Sequence, residues 1–343
     1  MIRSSTPSTW ASWRGTAWSV PVPVPVRAAV CLATGPPVTV RNDFRYAPYR
    51  PGATPRAAVP GWGQQRGVSG EGPGPTEKER NTVLTTAFRP GAPNWLDLAS
   101  PDTAASAAFY GELFGWTSAS GPGAARHSLF RQDGRTVAAL GPVTSAGDRA
   151  AWTVHFRTLD SDRTAALVRA AGGAVRFGPF DVLTSGRTTG CTDPTGADFA
   201  VWQPHDVRGL DTVTEPGSLC WTECFSIDSE AAKTFYRTVF GWQEQDVPLG
   251  LDLYTVLTPP GGGTADAHGG ICPIPPEDTA AGISSHWLPS FEVPDVDATL
   301  ATAERLGATV RLPAEDVHGV GRLARLVDPH GAAFAVITSA PPG

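Results

Sequence analysis

Two carboxylates occupy one slot of a duplicated pattern. Asp97 follows Trp95 by two residues, Glu223 follows Trp221 by two, and the pairs stand 126 residues apart. Asp97 falls inside the alternating run Asn94-Trp95-Leu96-Asp97-Leu98-Ala99, which reads as a strand. A carboxylate on a strand interior must find a partner or have its pKa raised. Such a group can act as a general base or can orient a ligand amine, so Asp97 and Glu223 are the candidate catalytic residues. Arg187 and Arg322 share a second slot, 135 residues apart, and are candidate ligand contacts; pairing with the two acids is one geometry open to them. Trp95, Trp152, Trp202, Trp221 and Trp287 fall on predicted strands. Aromatic walls with a few polar groups suit planar or apolar small molecules. Cys191 has no base assigned to it, so nucleophilic catalysis there is not expected.

The elements that must position these side chains repeat. Phe109-Tyr110-Gly111-Glu112-Leu113-Phe114-Gly115-Trp116 returns as Phe235-Tyr236-Arg237-Thr238-Val239-Phe240-Gly241-Trp242. A shared offset across several landmarks marks an internal duplication. Ser100-Pro101-Asp102 is a helix-start signal; Ala105, Phe109 and Leu113 then share one face, and Gly115 stops the helix, so 102–114 is amphipathic. Strand candidates follow, giving a βαβββ unit. A second unit begins at Trp152, with a helix over 160–171 and a turn at Asp193-Pro194-Thr195-Gly196. Residues 205–217 carry His, Asp, Pro and Gly and read as linker. Both units then return, with nine extra residues in a Pro/Gly-rich insertion around 259–263. Such a long loop is more often functional or mobile than structural.

The fold class predicted is therefore α+β, with four βαβββ modules in two pairs. The domains expected are 91–205 and 217–340, joined by 206–216. Residues 1–90 differ from the rest: rich in Pro, Gly and Ser, with a Pro21–Val26 alternation of proline and valine, they read as a disordered extension. The net charge of −6 argues against a nucleic-acid backbone or an anionic membrane as main partner. No apolar stretch approaches the roughly 20 residues that span a bilayer. The scattered cysteines suit reduced thiols, and a cytoplasmic monomer or weak homodimer is expected.

The modular pattern, with a helix ending in Phe-Tyr-x-x-x-Phe-Gly-Trp and Asp-Pro-x-Gly-x-x-Phe near each pair's end, resembles the vicinal oxygen chelate superfamily. That superfamily includes glyoxalase I, extradiol dioxygenases and bleomycin-resistance proteins. The resemblance covers about residues 92–339 and is closest to two-domain actinobacterial glyoxalase-like proteins. It implies that paired modules enclose a cleft where function lies. In metal-dependent members it implies a His on the first strand and a Glu on a late strand. Here those slots hold Trp95 and Trp221, and Ala200 and Ala335; the first-strand slots of the other two modules hold Thr153 and Leu288. Tryptophan, alanine and leucine cannot ligate a divalent ion.

The function expected is binding of a small organic molecule in an aromatic-lined cleft, with no cofactor, as in sequestration or resistance. Trp95, Trp152, His155, Trp202, Trp221, Trp287, Arg187 and Arg322 are the expected ligand contacts. The alternative is a lyase, isomerase or oxygenase with a displaced site for Fe or Zn, built from Glu223, His268 and His286.

Overall fold

The computed structural model describes residues 84–120, 127–144, 149–249, 252–280, 282–317 and 319–340. The Pro21–Val26 run and the rest of the N-terminal extension up to residue 83 lie outside the described residues. The first module comprises β1 (Pro93–Ser100), α1 (Thr103–Phe114), β2 (Thr117–Ser120), β3 (Ser128–Gln132) and β4 (Arg135–Pro142). The second comprises β5 (Ala151–Arg157), α2 (Ser161–Ala170), β6 (Ala174–Val182), β7 (Gly186–Thr192) and β8 (Asp198–Pro204). The third comprises β9 (Leu219–Ser226), α3 (Ser229–Phe240), β10 (Gln243–Leu249), β11 (Asp252–Thr258) and β12 (Gly269–Pro273). A short helix α4 (Pro276–Ala280) leads to the fourth: β13 (His286–Glu292), α5 (Val296–Arg305), β14 (Thr309–Val317), β15 (Gly321–Val327) and β16 (Ala333–Ser339).

Each module begins its helix in one way. Asp102, Asp160, Asp228 and Asp295 are N-cap residues whose carboxylates accept from Ala105, Arg163, Ala231 and Ala298 amides at 2.9–3.0 Å. An N-cap aspartate satisfies one orphan amide and is worth about 1 kcal/mol. Gly115 and Gly241 close α1 and α3 at φ 75° and 71°, a left-handed conformation that favours glycine.

Modules pair edge to edge. One sheet runs β2-β3-β4-β1-β5-β8-β7-β6 and the other β10-β11-β12-β9-β13-β16-β15-β14. The central pair is antiparallel in both, β1 with β5 and β9 with β13. Alternation then gives every strand two faces. On β1, Leu96 and Leu98 are fully buried toward the helices, while Trp95, Asp97 and Ala99 share the opposite face.

The repeated aromatic motif is the seam between the two sheets. Tyr110 on α1 packs against Phe334 of the fourth module, and Tyr236 on α3 packs against Phe199 of the second. The hydroxyl of Tyr110 donates to Asp328 at 3.1 Å, and that of Tyr236 donates to Asp193 at 2.9 Å. These aspartates also bind amides of their own turns, through His330 and Ala332 in one half and Thr195 and Ala197 in the other. One carboxylate therefore both builds the turn and anchors a tyrosine from the other half. Trp116 donates across the seam to the carbonyl of Gly217 at 2.8 Å, and Trp242 to that of Gly91 at 2.9 Å. Helix faces turned inward leave the opposite face of each sheet to form a cleft.

The segment before β1 also packs. Leu84 and Phe88 are buried, and Arg89 pairs with Asp266 at 3.2 Å in the β11–β12 connection. That connection is the Pro/Gly-rich insertion; it carries a 3-10 turn at Thr264–Asp266.

Candidate functional site

In the first cleft the register sets Asp97 opposite Thr153 on β5 and Ala139 on β4. Trp95 lies opposite His155, which lies opposite Ala200 on β8; Trp202 is two residues further. All of these side chains share the cleft face. The Trp95 indole N–H donates to Asp97 Oδ1 at 3.1 Å, and His155 Nε2 lies 2.7 Å from Asp97 Oδ2. Trp95 stacks on Trp202, with ring centroids 5.9 Å apart and planes within 15°. Phe177 on β6 covers Gly190 on β7, where any Cβ would collide with its ring. Phe177 and Phe180 are exposed and form an apolar lip.

Within this group the carboxylate is the presented member. The His155 side chain keeps 5% of its exposure and Asp97 keeps 42%. Desolvation is nonetheless the largest influence on Asp97. A side chain both desolvated and open stands in a concavity. Desolvation alone would raise its pKa, but the charge and hydrogen bond of His155, the Trp95 indole and the charge of His127 outweigh it and hold the carboxyl below its ordinary range.

The second cleft repeats the frame. Glu223 lies opposite Leu288 on β13 and Gly270 on β12. Its partners are different: Arg325 Nη2 lies 3.5 Å away, and the Tyr254 hydroxyl, which accepts from the Trp221 indole at 2.7 Å, lies close enough to favour the ionised carboxylate. Arg325 stands over the Phe225 ring at 4.4 Å, and Phe225 stacks on His286 at 5.3 Å. Phe225, Ile274, Leu288 and Ala335 form a hydrophobic cluster of their own. Only 14% of the Glu223 side chain stays exposed. Burial raises its pKa, and Arg325 and Tyr254 only partly offset this.

Several expected site residues stand elsewhere. Trp152 and Trp287 are on the helix face, where they donate to the Tyr110 and Tyr236 hydroxyls at 3.0 and 2.7 Å. Even positions of β5 and odd positions of β13 point to the helices, so neither indole reaches a cleft. Arg187 and Arg322 also leave the acids alone; they bind helix-start aspartates Asp162 and Asp297, and Asp181 and Asp316. Cys191 is fully buried, and burial pushes its thiol up to about 12, which makes it inert.

The displaced metal set does not assemble. His268 lies in the seam, with its ring 4.9 Å from Trp242 and 6.3 Å from Phe156. It borders a cavity of about 30 Å³ walled by Leu84, Phe88 and Pro259. Burial pulls its pKa down to about 3. His286 shares the cleft face but gives Nδ1 to the Ser284 carbonyl at 2.8 Å. Among the described residues no three His, Cys, Asp or Glu side chains converge as a metal site requires. The slots where chelating relatives place ligands hold Trp95, Trp221, Ala200 and Ala335, so the residues present do not fit a divalent ion.

Sequence reasoning missed Tyr254, Arg325, Phe225 and His127. Arg325 lies three residues beyond Arg322, and alternation along β15 turns it to the opposite face, toward Glu223. That alternation was the available signal.

Residues 92–201 match the family model described as the glyoxalase/bleomycin resistance protein/dioxygenase superfamily, and residues 224–337 match a glyoxalase-like domain. The anthracycline biosynthesis protein DauV of Streptomyces sp. strain C5 is 38% identical over 271 residues, covering 74% of this chain and 94% of that protein. The anthracycline biosynthesis protein DnrV of Streptomyces peucetius gives the same identity and coverage, 38% over 74% and 94%. Among solved structures, the Mn(II)-bound glyoxalase from Novosphingobium aromaticivorans superposes with a TM-score of 0.52 at 20% identity, covering 73% of this chain and 82% of that one. The 2,3-dioxygenase LapB from Pseudomonas sp. KL28 does so with a TM-score of 0.51 at 13% identity, covering 74% and 94%. At these identities the structures share the fold alone.

Proposed function

Taking as premise that the chain belongs to the glyoxalase/bleomycin resistance protein/dioxygenase superfamily, we propose that it binds a small planar organic molecule in the first cleft without a chelated metal. The observation that carries this is Asp97: a desolvated carboxylate, still 42% open, beside the stacked indoles of Trp95 and Trp202. Small residues around it leave room, since Ala99, Ala139, Thr153 and Ala200 share its face. Flat aromatic walls favour planar ligands, and one fixed acceptor gives orientation. Two relatives are named for anthracycline biosynthesis; anthracyclines are planar polycyclic aromatics, which is the shape these walls would take. A carboxyl held below its ordinary range is a weak base, so Asp97 suits holding a ligand better than abstracting a proton.

The test uses 1,4-dihydroxyanthraquinone as probe and tryptophan emission as readout. Saturable quenching that survives prior treatment with EDTA and weakens at least tenfold in Trp202→Leu is expected. No saturation, or binding lost on chelation, would overturn the reading.

A further inference from the structure

The geometry points to a cationic ligand: the first cleft takes a planar aromatic molecule bearing a protonated amine, with its rings along Trp95 and Trp202 and its ammonium on Asp97. This deepens the first-cleft reading and rests on it.

Two observations carry it. A carboxylate offers about four acceptor positions. Trp95 occupies one on Oδ1 and His155 one on Oδ2; the rest of the group faces the open cleft. Among the described residues no lysine or arginine forms an ion pair with Asp97, whereas Glu223 has Arg325, Asp162 has Arg187 and Asp297 has Arg322. Beside His155, the open part of this carboxylate meets no guanidinium or ammonium of the described chain, and a ligand cation can take that place. The neighbouring indole faces also attract cations.

The second cleft excludes the same ligand. Arg325 already neutralises Glu223, and its guanidinium and the Phe225 ring stand where an ammonium and an aromatic plane would lie.

The experiment compares two probes of one size by calorimetry at neutral pH: 9-(aminomethyl)anthracene, which carries a protonated amine, and 9-(hydroxymethyl)anthracene, which is neutral. The amine should bind wild-type protein at least tenfold tighter. Asp97→Asn should abolish that preference and Asp97→Glu should restore most of it, while Glu223→Gln should leave it intact. Circular dichroism of each variant confirms that it is folded. Equal affinities in the wild type, unaltered in Asp97→Asn, would overturn the cationic inference and leave the cleft reading standing. If neither probe saturates, or if Trp202→Leu changes neither, the cleft reading falls and takes the inference with it.

Discussion

Where the first cleft has Ala99 two residues beyond Asp97, the second has Phe225 two residues beyond Glu223. Where the first has Gly190, the second has Arg325, and Thr153 is answered by Leu288. Both clefts use one strand order and one register at their centre. Their difference lies in cleft-face side chains that no hydrogen bond of the ladder depends on. The first keeps small residues and an open acid. The second packs an arginine on a phenylalanine and closes over its acid. Duplication thus preserves the frame, fixed by backbone pairing and the aromatic seam, and frees the cleft face to diverge.

The sharpest way to break this contrast is to empty the filled cleft. Phe225 is buried under Arg325 and against His286. Phe225→Ala should cost about 3 kcal/mol in urea unfolding; a cost under about 1 kcal/mol would mean that the second cleft is not packed as described. Arg325→Met tests the ion pair. It leaves Glu223 desolvated without a cation and should cost about 2 kcal/mol at pH 7, less than for a fully buried pair because Arg325 is 31% exposed. The cost should shrink toward pH 4, where a protonated Glu223 needs no partner. A cost independent of pH would show that packing on Phe225, rather than charge, is what Arg325 supplies.

The reciprocal change fills the first cleft. Ala99→Phe copies the second half and should lower affinity for a planar probe about tenfold or more, with a change in melting temperature of only a few degrees. Unchanged affinity would place the ligand elsewhere. The smallest effect separates the acids by sign. Asp97 has a lowered pKa, so its stabilisation is present above the ordinary aspartate range and is lost as pH falls through its folded value. Glu223 has a raised pKa, so its stabilisation is present below the ordinary glutamate range and is lost as pH rises through its folded value. At pH 7 Asp97→Asn should therefore destabilise, by under about 1 kcal/mol given its exposure, while Glu223→Gln should be neutral or stabilising. Urea midpoints measured from pH 3 to 8 show whether the two curves diverge; parallel curves would remove the electrostatic distinction between the clefts.

Much of this was legible in the chain. Four Asp-led helices, the Phe-Tyr-x-x-x-Phe-Gly-Trp repeat and strand alternation place every module, because capping, helical period and pleat are local properties. Alternation put Trp95 with Asp97 on one face of their strand, and the family resemblance, with His155 two residues past the Thr153 slot, pointed that face into a cleft. The repeat puts Tyr110 and Tyr236 at one place on their helices, but their reach to Asp328 and Asp193 in the opposite half was not legible, because that depends on how two sheets dock.

By itself the sequence determined the modules, their pairing and the Trp and Ala residues in the slots for which the resemblance implies metal ligands, since these follow from residue types at fixed offsets. The tertiary structure decided which cleft is open. It also decided that Trp152, Trp287 and His268 belong to the seam and that Arg325 rather than Arg322 answers Glu223. Those outcomes turn on which face of a strand meets which neighbour, 42 residues away for Trp152 and Tyr110 and 51 for Trp287 and Tyr236, and side-chain volume and charge are compared there only once the sheets have closed.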